Sequence, residues 1–180
     1  MLPDDSHVNE IRPDNMREVV IGSMTKEQLV QALEQHSIRL NPLAERLLAS
    51  ELFTVSNREK RLSTVEATVG ELGFAHGATL IEIYEKAIMM GWDVCPIELG
   101  PYMRLQYRDQ PEGFLDKPVT KNRAPYGSLT IASQIVSEDD DFPKGFYLRK
   151  IDGVLWLRGY RSSLDFLWSP EDSFVFLKKE

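Results

Sequence analysis

Three helix starts are written into this chain, and their placement limits what it can fold into. Thr25 is followed three residues later by Gln28, and Thr79 by Glu82. In each pair the hydroxyl takes a backbone N–H of the first turn while the longer side chain reaches back to the cap, so two orphan donors are satisfied together. The third start is Asn41-Pro42, a capping side chain followed by a ring that lacks the N–H a first helical position does not need. Behind Thr25, Leu29, Leu33 and His36 recur on one face; behind Asn41 come Leu43, Leu47 and Leu48. Behind Thr79, Ile83, Ala87 and Met90 continue to Gly91, where a left-handed residue is wanted. The first two helices, joined by Ser37 to Leu40, read as a helical hairpin.

Elsewhere the period changes to two. Leu62 to Val69 sets Thr64, Glu66 and Thr68 against Val65, Ala67 and Val69, a strand pattern. Gly127 to Val136, Gly145 to Lys150, Val154 to Tyr160 and Ser173 to Leu177 read as further strands. Asp152-Gly153 between two of them is a hairpin turn signal. Leu164 to Trp168 reads as a short helical turn. The expected fold is α+β: an N-terminal helical hairpin followed by a helix packed on a mostly antiparallel sheet. The expected organisation is a flexible arm over 1–22, the hairpin over 23–56 and an α+β domain over 57–180.

Charge narrows the partners. The chain of 180 residues carries a net charge of −7. Its acidic body opposes nonspecific binding to nucleic acid, which needs clustered Lys and Arg against phosphate. The run Glu138-Asp139-Asp140-Asp141 reads as a solvated loop. No stretch approaches the roughly 18 apolar residues that a membrane span needs. Met1 to Ser6 does not read as a secretory signal, and a single cysteine permits no internal disulfide. A cytoplasmic protein without nucleic-acid or membrane partners is expected.

Chemistry-bearing residues are sparse. His7, His36 and His76 lie far apart, and Cys95 has no second thiol near it, so no metal-ligand spacing is present and neither metal nor cofactor is expected. There is no P-loop and no Gly-rich dinucleotide fingerprint. Cys95 reads as a small buried residue, with nucleophilic use as the alternative. The aromatic residues of the last third, Phe146 to Phe176, read mainly as sheet core; Trp168, before Ser169-Pro170, is expected to be partly exposed.

The segment Cys95 to Pro111 carries the functional lead. From Arg104 it alternates guanidinium, apolar, amide, aromatic, guanidinium. Read as a strand, it sets Arg104, Gln106 and Arg108 on one face and Leu105 and Tyr107 on the other. Planar polar groups gathered on one face need water, a ligand or a partner. Glu98 and Asp109 flank the run as carboxylates available for acid–base work or for pairing with the arginines.

Several of these residues form a pattern. Glu71-Leu72-Gly73-Phe74, Gly77-Ala78-Thr79, Glu82-Ile83, Ala87, Gly91, Cys95-Pro96, Glu98-x-Gly100-Pro101, Arg104-Leu105-x-Tyr107-x-Asp109-Gln110-Pro111 and Trp156-Leu157-x-Gly159 resemble a family of small bacterial proteins of unknown function, loosely labelled as helicases. The similarity runs from about Leu29 to Phe176, with its core over 71–111, and this chain differs in a longer polar N-terminus. The resemblance implies a bacterial, stand-alone protein and no mechanism. The helicase label finds no support in a chain without a P-loop and too short for paired motor domains.

Two functional readings follow. The first is a binding module whose face is built from Arg104, Gln106, Arg108, Asp109 and Trp168, taking a protein partner or a small anionic or polar ligand. The second is a small hydrolase or transferase working through Glu98 and Asp109, with Cys95 as a further candidate. A third possibility is that Arg104 and Asp109 pair only to complete the fold.

Overall fold

The computed structural model describes residues 15–113 and 124–179. Within them the elements are β1 (Met16–Ile21), α1 (Lys26–Gln35), β2 (Arg39–Leu40), α2 (Pro42–Ala49), β3 (Lys60–Thr68), α3 (Leu80–Met89), β4 (Trp92–Asp93), α4 (Leu99–Gln106), β5 (Leu129–Ile131), β6 (Gly145–Ile151), β7 (Val154–Tyr160) and β8 (Ser173–Lys178). The three sequence-encoded helix starts all form. Thr25 and Thr79 each close a capping box, and Asn41 caps α2 with Pro42 in its first turn.

One curled sheet organises the chain, in the order β1-β3-β8-β5-β6-β7-β2, with β4 pairing β8 beside that path. The α+β class is therefore present, but the sheet is mixed. The pairs β5–β8 and β2–β7 are parallel; the others are antiparallel. β8 lies inside the sheet and is covered on both faces, which explains its unbroken apolar run: Phe174, Val175 and Phe176 are all buried.

Side-chain alternation divides the apolar residues between two layers. Val175, Leu148, Phe146 and Leu129 face one side, where α1, α2 and α4 contribute Leu29, Leu47 and Tyr102. Phe174, Phe176, Val65 and Tyr147 face the other, where α3 contributes Ile83 and Ala87. The helices thus sandwich the sheet.

Two expectations about the N-terminal part are corrected. α1 and α2 do not form a helical hairpin. β2 intervenes and pairs with β7, α1 packs on α4 and α2 on β7. The apolar stripes of both helices are consumed by the sheet layer, leaving none to join them to each other. The expected flexible arm over 1–22 also contains a strand, since Met16–Ile21 pairs antiparallel with β3. Val19 and Ile21 are its buried residues, and it falls where the sequence sets a short segment around Arg17 to Ile21 apart from the rest of the arm. The rest of that arm, residues 1–14 with His7, lies outside the described residues. Among the described residues, no helix is long and apolar enough to cross a membrane.

Asn41 joins the two ends of the chain. Its Oδ1 accepts from the Ala44 N–H at 2.9 Å as the α2 cap and from the Gly159 N–H at 2.8 Å. Its Nδ2 donates to the Gly159 carbonyl at 3.0 Å. Only glycine fits opposite, because a Cβ at Gly159 would lie 2.7 Å from the Leu43 carbonyl carbon and 2.8 Å from the Ala44 nitrogen. Asn41→Ala is expected to lower stability by about 2–3 kcal/mol, a lost cap plus two part-buried hydrogen bonds. Asn41→Ser keeps a capping hydroxyl and loses both bonds to Gly159. Urea denaturation measures both variants against the parent, and an Asn41→Ser protein as stable as the parent would contradict the second role.

Candidate functional site

The segment from 99 to 106 is a helix, and this overturns the strand expected over Arg104 to Arg108. Pro101 sits in the first turn of α4, where its missing N–H leaves no bond unmade. Leu99, Tyr102 and Met103 then recur at helical spacing and are buried. Gly100 is packed so closely that a Cβ would lie 2.7 Å from the Phe146 ring. The apparent alternation from Arg104 begins inside the last helical turn and continues past its end, so the polar groups diverge.

Each of them is engaged separately. Arg104 has no exposed surface and sits in the core with no carboxylate partner among the described residues. It donates to Gln110 Oε1 at 2.6 Å, to the Tyr107 carbonyl and to the Trp156 carbonyl at 3.5 Å. Desolvation lowers its pKa to about 10, against a raising contribution from Tyr107. Gln110 passes the connection on, donating to the Leu148 carbonyl at 3.0 Å and the Gly127 carbonyl at 3.3 Å. Gln106 bonds both the N–H and the C=O of Val20 in β1, at 2.9 Å and 2.7 Å. Arg108 is exposed, with Nε on the Leu105 carbonyl; Asp109 is exposed beyond it.

The catalytic candidates are dispersed as well. Glu98 is buried, and its carboxylate accepts from the Ser56 N–H at 3.0 Å and the Ser56 hydroxyl at 2.7 Å. Cys95 is buried with Sγ 3.6 Å from the Val175 carbonyl, and desolvation, then Asp93, pushes its thiol pKa well up. Trp168, expected partly exposed, is buried instead. It is drawn in by a two-way backbone bridge to Ala78 at 2.8 Å and 3.2 Å. A Cβ at Gly77, at φ +91°, would lie 2.5 Å from the Trp168 carbonyl oxygen. Among the described residues, no three His, Cys, Asp or Glu side chains converge on a metal position.

What the sequence reading passed over is a cleft of about 330 Å³ on the α3 side of the sheet. Thr130 of β5 lies opposite Tyr147 of β6, and Tyr147 opposite Arg158 of β7. Tyr160, Phe166 and Trp168 complete an aromatic wall, with Trp168 edge-on to Tyr160 at 5.5 Å and to Phe166 at 5.4 Å. Asn41, Leu43, Ala124 and Pro125 border it. Arg158 Nε donates to the Tyr147 hydroxyl at 2.8 Å, which fixes the plane of the guanidinium. Its two terminal nitrogens have no acceptor among the described residues. Arg161 is also part of the lining, and no carboxylate among the described residues lines the cleft.

A larger cleft of about 600 Å³, sharing Ala124 and Pro125, has the opposite character: Glu66, Glu112, Glu171 and Asp172 line it. Desolvation raises the pKa of Glu66 there, partly opposed by Arg17.

Comparison with known protein families, characterised proteins and solved structures finds no match for this chain.

Two outcomes follow from these environments. Arg104→Met is expected to destabilise the protein by about 2 kcal/mol, because the Gln110 amide and Tyr107 carbonyl lose their donor in the core. Arg108→Ala should stay within about 0.5 kcal/mol. Chemical denaturation distinguishes them, and a neutral Arg104→Met would mean these bonds contribute nothing to the fold. Cys95 should be inert to a disulfide reagent such as dithionitrobenzoate at pH 8 in the native protein and react when urea unfolds it. Fast labelling without denaturant would show that the thiol is accessible.

Proposed function

We propose that this protein is a binding module for a small planar anion, held in the cleft formed by Arg158, Tyr147, Tyr160, Phe166 and Trp168. The binding-module reading is retained, and its site moves from α4 to β7. The observation that carries it is Arg158: a guanidinium held in plane by Tyr147, with its donor fork uncommitted and no acid lining the cleft among the described residues. Its surroundings reverse the sign of a chain whose net charge is −7.

The chemistry follows from the lining. A carboxylate, sulfate or phosphate accepts two parallel N–H groups from one guanidinium, and such charge-assisted pairs are the strong ones. Ring walls on the remaining sides favour a flat apolar body by stacking and edge-to-face contact. The volume suits one small molecule, as ligand clefts fall in the range of about 300–1,000 Å³. The alternative of a hydrolase using Glu98, Asp109 and Cys95 has no comparable support, since neither cleft is lined by any of the three.

1-Naphthyl sulfate, a flat ring with one negative charge, is a suitable probe. Calorimetric titration should give a single site, and Arg158→Gln should weaken binding by about tenfold or more, as expected for a charge-assisted pair. Tyr147→Phe should weaken it less, since the guanidinium loses its orientation but keeps its charge. Undiminished affinity in Arg158→Gln, with the fold intact by circular dichroism, would place the ligand elsewhere.

A further inference from the structure

The ladder that builds the cleft continues beyond it. In the β6–β7–β2 register, Arg149 lies opposite Trp156, and Trp156 opposite Arg39. Cross-strand partners share a sheet face, and residues two apart along a strand share it too. Arg39, Arg149 and Arg158 therefore emerge on one face, interleaved with Trp156 and Tyr147. The Arg158 guanidinium stands over the Trp156 ring at 5.0 Å and over Tyr147 at 5.9 Å; Arg39 stands over Trp156 at 6.0 Å.

Arg149 is the unusual member. It is only 9% exposed, and its buried Nε has no hydrogen-bond partner among the described residues. It is held close to the main chain of Gly113, where a Cβ would come 3.2 Å from Nε. Burial lowers its pKa, and Arg158 lowers it further while Tyr147 acts the other way. The ion pairs among the described residues involve Arg61 with Glu18 and Arg161 with Asp141, so neither Arg149 nor Arg158 has a carboxylate counter-ion there. Arg149 and Arg158 are diagonal neighbours on one sheet face, with Arg158 leaning over Trp156, the cross-strand partner of Arg149, and such a pair of guanidiniums suits an anion that carries more than one charge.

We propose that Arg149, one diagonal step beyond the cleft lining on the same face, and Arg158 within that lining together form a phosphate subsite beside the aromatic cleft, so that the ligand is a phosphate monoester carrying a planar ring. This rests on the binding function proposed above and assigns its ligand class. A monoester presents three acceptor oxygens and, above its second pKa near 6, close to two negative charges. Two charges match two guanidiniums, whereas a sulfate ester, with the same three terminal oxygens but one charge, and a carboxylate each balance only one. Arg39 lies farther along the same face and adds positive potential without reaching the subsite.

The test compares 1-naphthyl phosphate with 1-naphthyl sulfate at pH 8 by calorimetry on the full chain, with inorganic phosphate as a third probe. The phosphate ester should bind about tenfold more tightly than the sulfate ester, and inorganic phosphate more weakly than either. Arg149→Gln should abolish the preference for phosphate while leaving the sulfate affinity nearly unchanged. Arg149→Lys, which keeps the charge and guards against a folding defect, should retain part of that preference. Equal affinities for the two esters in the parent protein, or a preference that survives Arg149→Gln, overturns the subsite and leaves the cleft. Failure of both esters to bind overturns the cleft as well. Inorganic phosphate binding as tightly as the naphthyl ester overturns the planar-ring half of the assignment.

Discussion

The register of the β6–β7 hairpin is set by two residues at its tip, and the candidate site depends on it. Asp152 and Gly153 both have positive φ, 51° and 76°, the pair of left-handed conformations that closes a two-residue turn between twisted strands. Counting outward from that turn pairs Ile151 with Val154, Arg149 with Trp156 and Tyr147 with Arg158. A slip of one residue would send every one of these side chains to the opposite face. Leu148, Leu157 and Phe146, which fill the other layer, oppose any slip, because each would have to leave the core. One turn and three apolar side chains thus fix where the arginines emerge.

Arginines in this protein divide by what their donors meet. Arg104 is buried, and its two terminal nitrogens go to a carboxamide and main-chain carbonyls, so the charge is accommodated by dipoles although the buried Nε has no partner among the described residues. Such a group ties together α4, the approach to β5, and strands β6 and β7 through Gln110. Arg158 spends one donor on Tyr147 and keeps its fork. Arg149 has the burial of the first class without its partners. Desolvating a guanidinium without acceptors is unfavourable, and a fold retains such a group more readily where a ligand relieves it.

Legibility in the sequence followed the locality of the physics. Capping boxes at Thr25 and Thr79 and the Asn41-Pro42 start are short-range chemistry, and all three helices begin there. The strands from Gly145 and Val154 and the turn between them are equally local, so the opposition of Tyr147 and Arg158 was already implicit in the chain; it went unused because the aromatics were read as core. α4 was missed because Gly100-Pro101 resembles a turn until the packing of Phe146 against Gly100 supplies the reason for a glycine in a first helical turn. The burial of Trp168 and the pairing of β2 with β7 depend on residues far away in sequence, as does the separation of α1 from α2. No period within one segment reports them.

A sheet pairs with another chain through its edges, and here the β1 edge is occupied at Val20 and the β2 edge is very short. β1, at one end, has the N–H and C=O of Val20 occupied by the Gln106 side chain, whose amide imitates a peptide group of a further strand. Arg17 of the same strand stacks over Tyr107 at 3.6 Å, which holds the end of α4 beside that edge. β2, at the other end, is two residues long and passes into the Asn41 cap almost at once. Occupied or very short edges discourage strand addition by another chain. Gln106, one of the residues expected on an interaction surface, therefore occupies part of the β1 edge instead. The face that carries Tyr147, Arg149, Trp156 and Arg158 is the one on which the proposed binding site depends, and there Tyr147 and Arg149 are buried while Trp156 and Arg158 are half-buried.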